Sequence, residues 1–224
     1  MAFLPPIIYA IWIRNTEKYN REKWKPIFLC FFWGATIAII ASIIIEIILE
    51  LPLAISINEG DTYSLVVAVI IAPFAEELTK PLALRIKTVK KELDELEDGL
   101  IYGAVAGLGF SATENLLYGW GFLSEGLLFF FIFMTIRSFG GCLLHASATA
   151  FSGYGYGKAI MKKTSFLYII PFFILAIFVH SFYNFLLSFD LIGLATGLFT
   201  SLIFVYITIY FVRKKIKTLD EINH

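Results

Sequence analysis

The sequence predicts an all-α protein, a polytopic transmembrane helix bundle of about 6–8 helices that forms one integral membrane domain over residues 1–224. Three observations predict it. Of the 224 residues 58% are apolar and only 16% are charged, where a soluble domain is about a quarter charged. The apolar residues gather into blocks of about 20, the length needed to cross a hydrocarbon core of about 30 Å. Basic residues alternate between the loops that join those blocks, as the positive-inside rule asks.

In chain order, Phe3–Ile13 is short and carries Pro5-Pro6; a span and an interfacial helix both fit it, and a span is the favoured reading. It lacks a basic n-region and a small-residue cleavage site, so a removed signal peptide is not expected. Ile27–Leu49 holds one charge, Glu46, expected at the interface or in a structural pair. Tyr63–Leu84 contains "PFAEELTKP", and Gly99–Tyr118 contains one acid, Glu114. Leu127–Gly157 would make a helix of about 46 Å. It is expected to break at Arg137–Gly141, giving a short interfacial or re-entrant piece and then a span from about Phe139 to Gly157. Ser165–Phe189 is apolar except for His180 and Asn184, and Ile192–Val212 has no ionisable group but tyrosine. Cys30 and Cys142 fall inside apolar blocks and read as small buried side chains.

Loop charge sets the orientation. Arg14–Lys25 carries five Lys/Arg, Arg85–Lys91 four, Lys158–Lys163 three and Arg213–Lys217 four, which is 16 of the 18 basic residues. The alternate loops, around Glu50–Asp61, Glu125 and Asp190, carry none. The basic loops and the C-terminal tail are therefore expected to be cytoplasmic, in a multi-pass protein of the cell membrane.

Ionisable residues inside such blocks are costly and mark function. On a helix Lys80 lies about 40° round from Glu76 and about 60° from Glu77, so it can pair with either acid. Pro73 and Pro81 lack the N–H that would cap Val69 and Glu77, so kinks are expected on both sides. Gly103, Gly107 and Phe110 share a helical face with Glu114 and place the acid on a packed side. His145 shares a face with Gly141, Thr149 and Ser152. His180 and Asn184 stand at i,i+4. Arg137 is a candidate partner for one of the acids.

Two histidines with carboxylates in a wet pocket between helices support two related chemistries. Glu114, His145 and His180 are candidate ligands of a divalent metal such as zinc. Alternatively Glu76 or Glu77 acts on water as a general base without metal, Asn184 holds the oxyanion and Lys80 tunes the acid pair. Both routes end in hydrolysis, most plausibly of a peptide bond, and the sequence leaves both open. No GxSxG, HExxH or Gly-rich phosphate loop is present. The rival reading is a membrane carrier or cation-binding protein using the same groups as a proton or metal relay, but no inverted repeat supports it.

The stretches "EELTK", "DGLIYGAVAGLGFSATEN", "RSFGGCLLHASATAFSGYGYG" and "HSFYN" resemble the four successive motifs of the PrsW family of intramembrane proteases, over about residues 73–187. That family is similar to the larger CAAX-prenyl-protease and bacteriocin-processing group, which usually has EExxxR and a histidine in its second motif. This chain has EExxK and Glu114 there, so a prenylated substrate is not implied. The resemblance implies a protease core at about residues 63–189 and site-1-type cleavage of a single-pass membrane protein, typically an anti-sigma factor, on its extracytoplasmic side. Glu76 and Glu77 match the family's essential acid pair, and Glu114, His145 and His180 its remaining polar positions. The implied partners are that substrate and the lipid bilayer, with no nucleic acid.

Overall fold

A computed structural model describes residues 1–57, 60–189 and 193–223, and all the regular structure among them is helical. Helix α1 is Leu4–Arg14, with its prolines in the first turn, where a missing N–H costs nothing. Helix α2 runs over Trp24–Ser56 with a π-turn at Gly34–Ala38. Helix α3 begins as Asp61–Val66, passes through a π-turn at Val67–Ile71 into Ala72–Thr79, and ends in a 3-10 segment, Lys80–Arg85. A single turn at Lys87–Lys90 leads to α4, Leu96–Ser124. Helices α5, Leu127–Phe139, and α6, Gly141–Met161, meet at Gly140, the break expected there. Helix α7 is Ile170–Ser188 and α8 is Leu194–Asn223. Residues 190 and 192, in the last outer loop and at the expected start of the last span, lie outside the described residues.

Helix α4 is the axis of the bundle. Its residues from Glu97 to Ala112 are buried on every side, so it shows no apolar stripe; small residues fill it instead. A Cβ on Gly103 would meet the Thr149 carbonyl, Gly153 Cα at 3.0 Å and Ala150 Cα at 3.2 Å, and one on Gly107 would strike the His145 carbonyl. Helices α4 and α6 therefore touch backbone to backbone, which sets Glu114 beside His145. The other face of α4 takes the π-turn of α2, where a Cβ on Gly34 would strike the Ala106 carbonyl.

Among the described residues four helical stretches are long and apolar enough to cross a membrane: Trp24–Ser56, Leu127–Met161, Phe166–Ser188 and Leu194–Ile222. Their outer faces expose large apolar side chains such as Ile48, Ile55, Leu128 and Tyr206. Helices α3 and α4, expected as spans, are not in this set. Helix α3 carries Glu76, Glu77 and Lys80, and α4 is enclosed by protein from Glu97 to Ala112, where small residues replace the bulky apolar ones that lipid demands. The expectation that Phe3–Ile13 spans is corrected too. Eleven residues of α1 reach about 16 Å, half of a hydrocarbon core, and α1 instead buries Ala10 and Ile13 against the bundle.

Candidate functional site

The site is built on the irregular part of α3. In the π-turn the residue five places after Ala68 is Pro73, which has no N–H to give; the Asn184 amide donates to the Ala68 carbonyl instead, at 2.8 Å. At the other end Trp33 Nε1 donates to the Thr79 carbonyl at 3.1 Å, where the helix tightens before Pro81. These two clamps fix the turn that holds Glu76, Glu77 and Lys80, all of them buried.

Lys80 Nζ donates to Glu76 Oε2 at 2.7 Å, Glu77 Oε1 at 2.9 Å and His145 Nδ1 at 2.8 Å, which uses all three of its N–H groups. It also lies 4.2 Å above the centre of the Phe110 ring. Glu77 is fully buried and accepts twice more, from Thr149 Oγ1 at 2.9 Å and from His180 Nδ1 at 3.1 Å. His145 Nε2 donates to Glu114 Oε2 at 2.7 Å, and Arg137 Nη2 reaches the same oxygen at 2.8 Å. Arg137 is held in turn by Asn115 Oδ1 at 2.8 Å and by the face of Tyr118 at 3.9 Å.

The network assigns the tautomers. Glu114 and Glu77 can only accept, so His145 carries its proton on Nε2 and His180 carries one on Nδ1. His145 Nδ1, which accepts from Lys80, is then a lone pair.

A cavity of about 670 Å³ opens onto this cluster, lined among others by Glu46, Tyr63, Glu76, Glu114, His145 and His180. Glu77 and Lys80 lie beneath its floor and do not line it. The two adjacent acids thus occupy different environments, a distinction that their spacing in sequence could not give.

Two expectations need correction. Glu114, expected among the metal ligands, stands behind His145 and pairs with Arg137; the carboxylate grouped with the two histidines is Glu76, whose ligand oxygen and their ring nitrogens all lie within 4.8 Å of one another. Asn184 lines the cavity and spends one amide N–H on Ala68, which braces α3 and leaves its second N–H for the cavity. Glu46, expected at the interface or in an ion pair, lines the cavity and makes no ion pair among the described residues. The sequence reading assigned no role to Thr149, although it sits one turn after His145 on the polar stripe already noticed there. Asn115, next to Glu114, was also passed over.

A family model described as PrsW family intramembrane metalloprotease matches residues 22–212. The chain belongs to the PrsW family. It is 32% identical to Protease PrsW of Clostridioides difficile (strain 630) over 53% of this chain and 48% of that protein. It is 25% identical to Protease PrsW of Bacillus subtilis (strain 168) over 98% of this chain and 94% of that protein, and 34% identical to Protease PrsW of Geobacillus kaustophilus (strain HTA426) over 43% and 40%. No solved structure matches the chain.

The PrsW family's description implies a metal, and the residues present fit one. Glu76, His145 and His180 supply one carboxylate and two imidazoles, the donor types of a catalytic zinc site. Bonds of about 2.0–2.1 Å put tetrahedral ligand atoms about 3.3 Å apart. Glu76 Oε2 lies 3.6 Å from His145 Nδ1, close to that figure; His180 Nδ1, 3.9 Å from the same oxygen, is bonded to Glu77, so His180 would bind through Nε2. Glu114 holding the far nitrogen of His145 is the support such a ligand ordinarily has. Lys80 already satisfies two of the three groups, so an ion must exchange with its ammonium.

Proposed function

We propose that this PrsW-family protein is an endopeptidase that hydrolyses a peptide bond of a single-pass membrane protein, in the cavity above Glu76. An anti-sigma factor cut in site-1 fashion is the substrate type that the family resemblance implies. The observation that carries the reading is the separation of the acid pair. Glu76 faces the cavity together with both histidines, while Glu77 lies below and is bonded to Lys80, His180 and Thr149.

In this reading an extended segment of substrate enters between α2 and α3, past Glu46 and Tyr63, and its scissile carbonyl comes to rest beside Glu76. A water on Glu76 gives a proton to the carboxylate as its oxygen adds to the carbonyl carbon; when the C–N bond breaks, that proton goes to the leaving amine. Arg137 and Glu114 keep the His145 ring in one tautomer and one orientation. Glu77 does the same for His180 and anchors Lys80, whose ammonium balances the two acids. A metal held by Glu76, His145 and His180 would supply Lewis-acid polarisation of the carbonyl. Lys80, His145 and His180 spend N–H groups inside the cluster, while Glu76 lines the cavity.

With the basic loops on the cytoplasmic side, the Glu46–Tyr63 mouth opens toward the outer face, where a site-1-type cut is made. The test is cleavage of a reconstituted single-pass substrate before and after chelation, with metal analysis of the purified protein. Activity lost on chelation and restored by zinc supports the metal form. Full activity in chelator, with no metal bound, leaves the glutamate form.

A further inference from the structure

A second cluster of acids lies at the opposite end of the bundle, on the side of the basic loops. The segment between α1 and α2 brings Glu17 and Glu22 against the start of α4, with Glu95, Glu97 and Asp98. Glu17 and Glu97 are 0% exposed, Asp98 1% and Glu22 6%. Two overlapping triads, Glu17–Glu22–Asp98 and Glu17–Glu95–Glu97, each place three carboxylate oxygens within 4.8 Å of one another.

The surrounding bonds hold Glu17, Glu22 and Asp98 in place. Glu17 Oε2 accepts from the Glu22 N–H at 2.9 Å, and Asp98 Oδ2 accepts from the N–H groups of Asp94 and Glu95 at 2.8 and 2.7 Å. The Tyr102 hydroxyl donates to Glu22 Oε2. Glu17 Oε1 is buried with no donor. Among the described residues Glu17, Glu22 and Asp98 form no ion pair. The nearby arginines face elsewhere: Arg14 Nε donates to the Glu22 carbonyl at 2.5 Å and Arg21 Nε to the Glu17 carbonyl at 3.1 Å. Chain segments about 75 residues apart thus converge carboxylates, and one oxygen of Glu17 is an orphan.

We propose that this cluster is a second cation site, separate from the Glu76–His145–His180 group, that takes a hard divalent ion such as Mg²⁺, Mn²⁺ or Ca²⁺ through oxygens of Glu17, Glu22 and Asp98. The donor set decides the class. It is all oxygen, with no imidazole or thiolate to favour zinc or copper. Burial raises the Glu17 carboxyl to about 8 and Glu22 to about 7, and burial with repulsion from Glu22 raises Asp98 to about 10, the strain expected where bare acids share a dry site. A bound ion ties the loop after α1 to the first turn of α4. The same helix carries Glu114 about 24 Å further along, so the ion would fix the register of the helix on which His145 is oriented.

The test uses the full chain in nanodiscs. In the His145→Ala/His180→Ala double variant, which disables the other group, Mn²⁺ is titrated and read by electron paramagnetic resonance. One Mn²⁺ per chain is expected, displaced by excess Mg²⁺ or Ca²⁺ and weakened at least tenfold by Glu17→Gln. A second reading is thermal unfolding with the histidines intact. Ca²⁺, which imidazole takes poorly, should raise the melting temperature of the wild type over its chelated state. Glu17→Gln should gain nothing from Ca²⁺. If Glu17→Gln does not fold, Glu22→Asp, which keeps the charge and shortens the reach, should show the same loss of Mn²⁺. The absence of any Mn²⁺ in the folded double variant overturns the proposal, as does Mn²⁺ binding and a Ca²⁺ shift that survive both substitutions.

Discussion

Thr149→Val asks how much the floor of the site depends on one hydroxyl. The substitution replaces that hydroxyl with a methyl and changes little else in shape. Thr149 Oγ1 donates to Glu77 Oε2 at 2.9 Å, and both residues are 0% exposed, so water cannot take the donor's place. The two other donors to Glu77, Lys80 and His180, both act on Oε1. Removing Thr149 therefore leaves Oε2 buried and unpaired. Hydrogen bonds to charged groups contribute about 1.5–3 kcal/mol. If Glu77 holds Lys80 and His180 in place for turnover, the loss falls on kcat, about ten- to a hundredfold at 1.4 kcal/mol per factor of ten. The assay is cleavage of a reconstituted single-pass substrate, with thermal unfolding measured on the same samples. Thr149→Ser keeps the hydroxyl and should restore most of the rate. A valine variant that cleaves within twofold of wild type would refute the role given to Glu77. So would a serine variant as impaired as the valine one.

Other perturbations separate packing from chemistry. Gly103→Ala forces a Cβ against the Thr149 carbonyl and against Gly153 Cα at 3.0 Å, so α4 and α6 must part; overpacking of this kind costs about 1–3 kcal/mol, visible as a lower melting temperature. Gly121→Ala, with nothing within 4 Å of the new Cβ, should melt no lower than wild type. Arg137→Gln leaves Glu114 to His145 alone. Because the Arg137 and Glu114 side chains are about one-fifth exposed, the stability loss should stay small while kcat falls and KM changes little. Glu77→Gln should reduce stability and activity together, since it removes one of the two acids that balance a lysine with no exposure to water.

The fold class was legible because lipid imposes it. Long apolar blocks and alternating loop charge follow from the bilayer, whatever the tertiary detail. The intramembrane charges were also legible as a group, because each is too costly to be kept without a reason. Local geometry was harder to read. Helix α1 looked like a span because hydropathy registers composition; the 16 Å reach of eleven helical residues appears only once its ends are known. Glu76 and Glu77 were interchangeable in sequence, and the π-turn ahead of Pro73, which turns Glu76 to the cavity and Glu77 to the core, is set by Asn184, more than a hundred residues away. An acid on a packed face, such as Glu114, signals function without saying which neighbour it meets. Arg137 decides that, from a different helix. Thr149 was missed because a hydroxyl in an apolar helix ordinarily bonds to its own backbone. The acids at the start of α4 drew no notice because loop carboxylates usually face water, and only the packing of the loop after α1 buries them.

The most direct test of a hydrolytic site at Glu76 is cleavage of a single-pass substrate reconstituted with wild-type protein or with Glu76→Gln. The substitution removes one charge from a residue that is 6% exposed and leaves its size unchanged, so the variant should fold. A hydrolytic site at Glu76 requires at least a hundredfold slower cleavage by Glu76→Gln at an unchanged cut position. Cleavage by Glu76→Gln at the wild-type rate would contradict it.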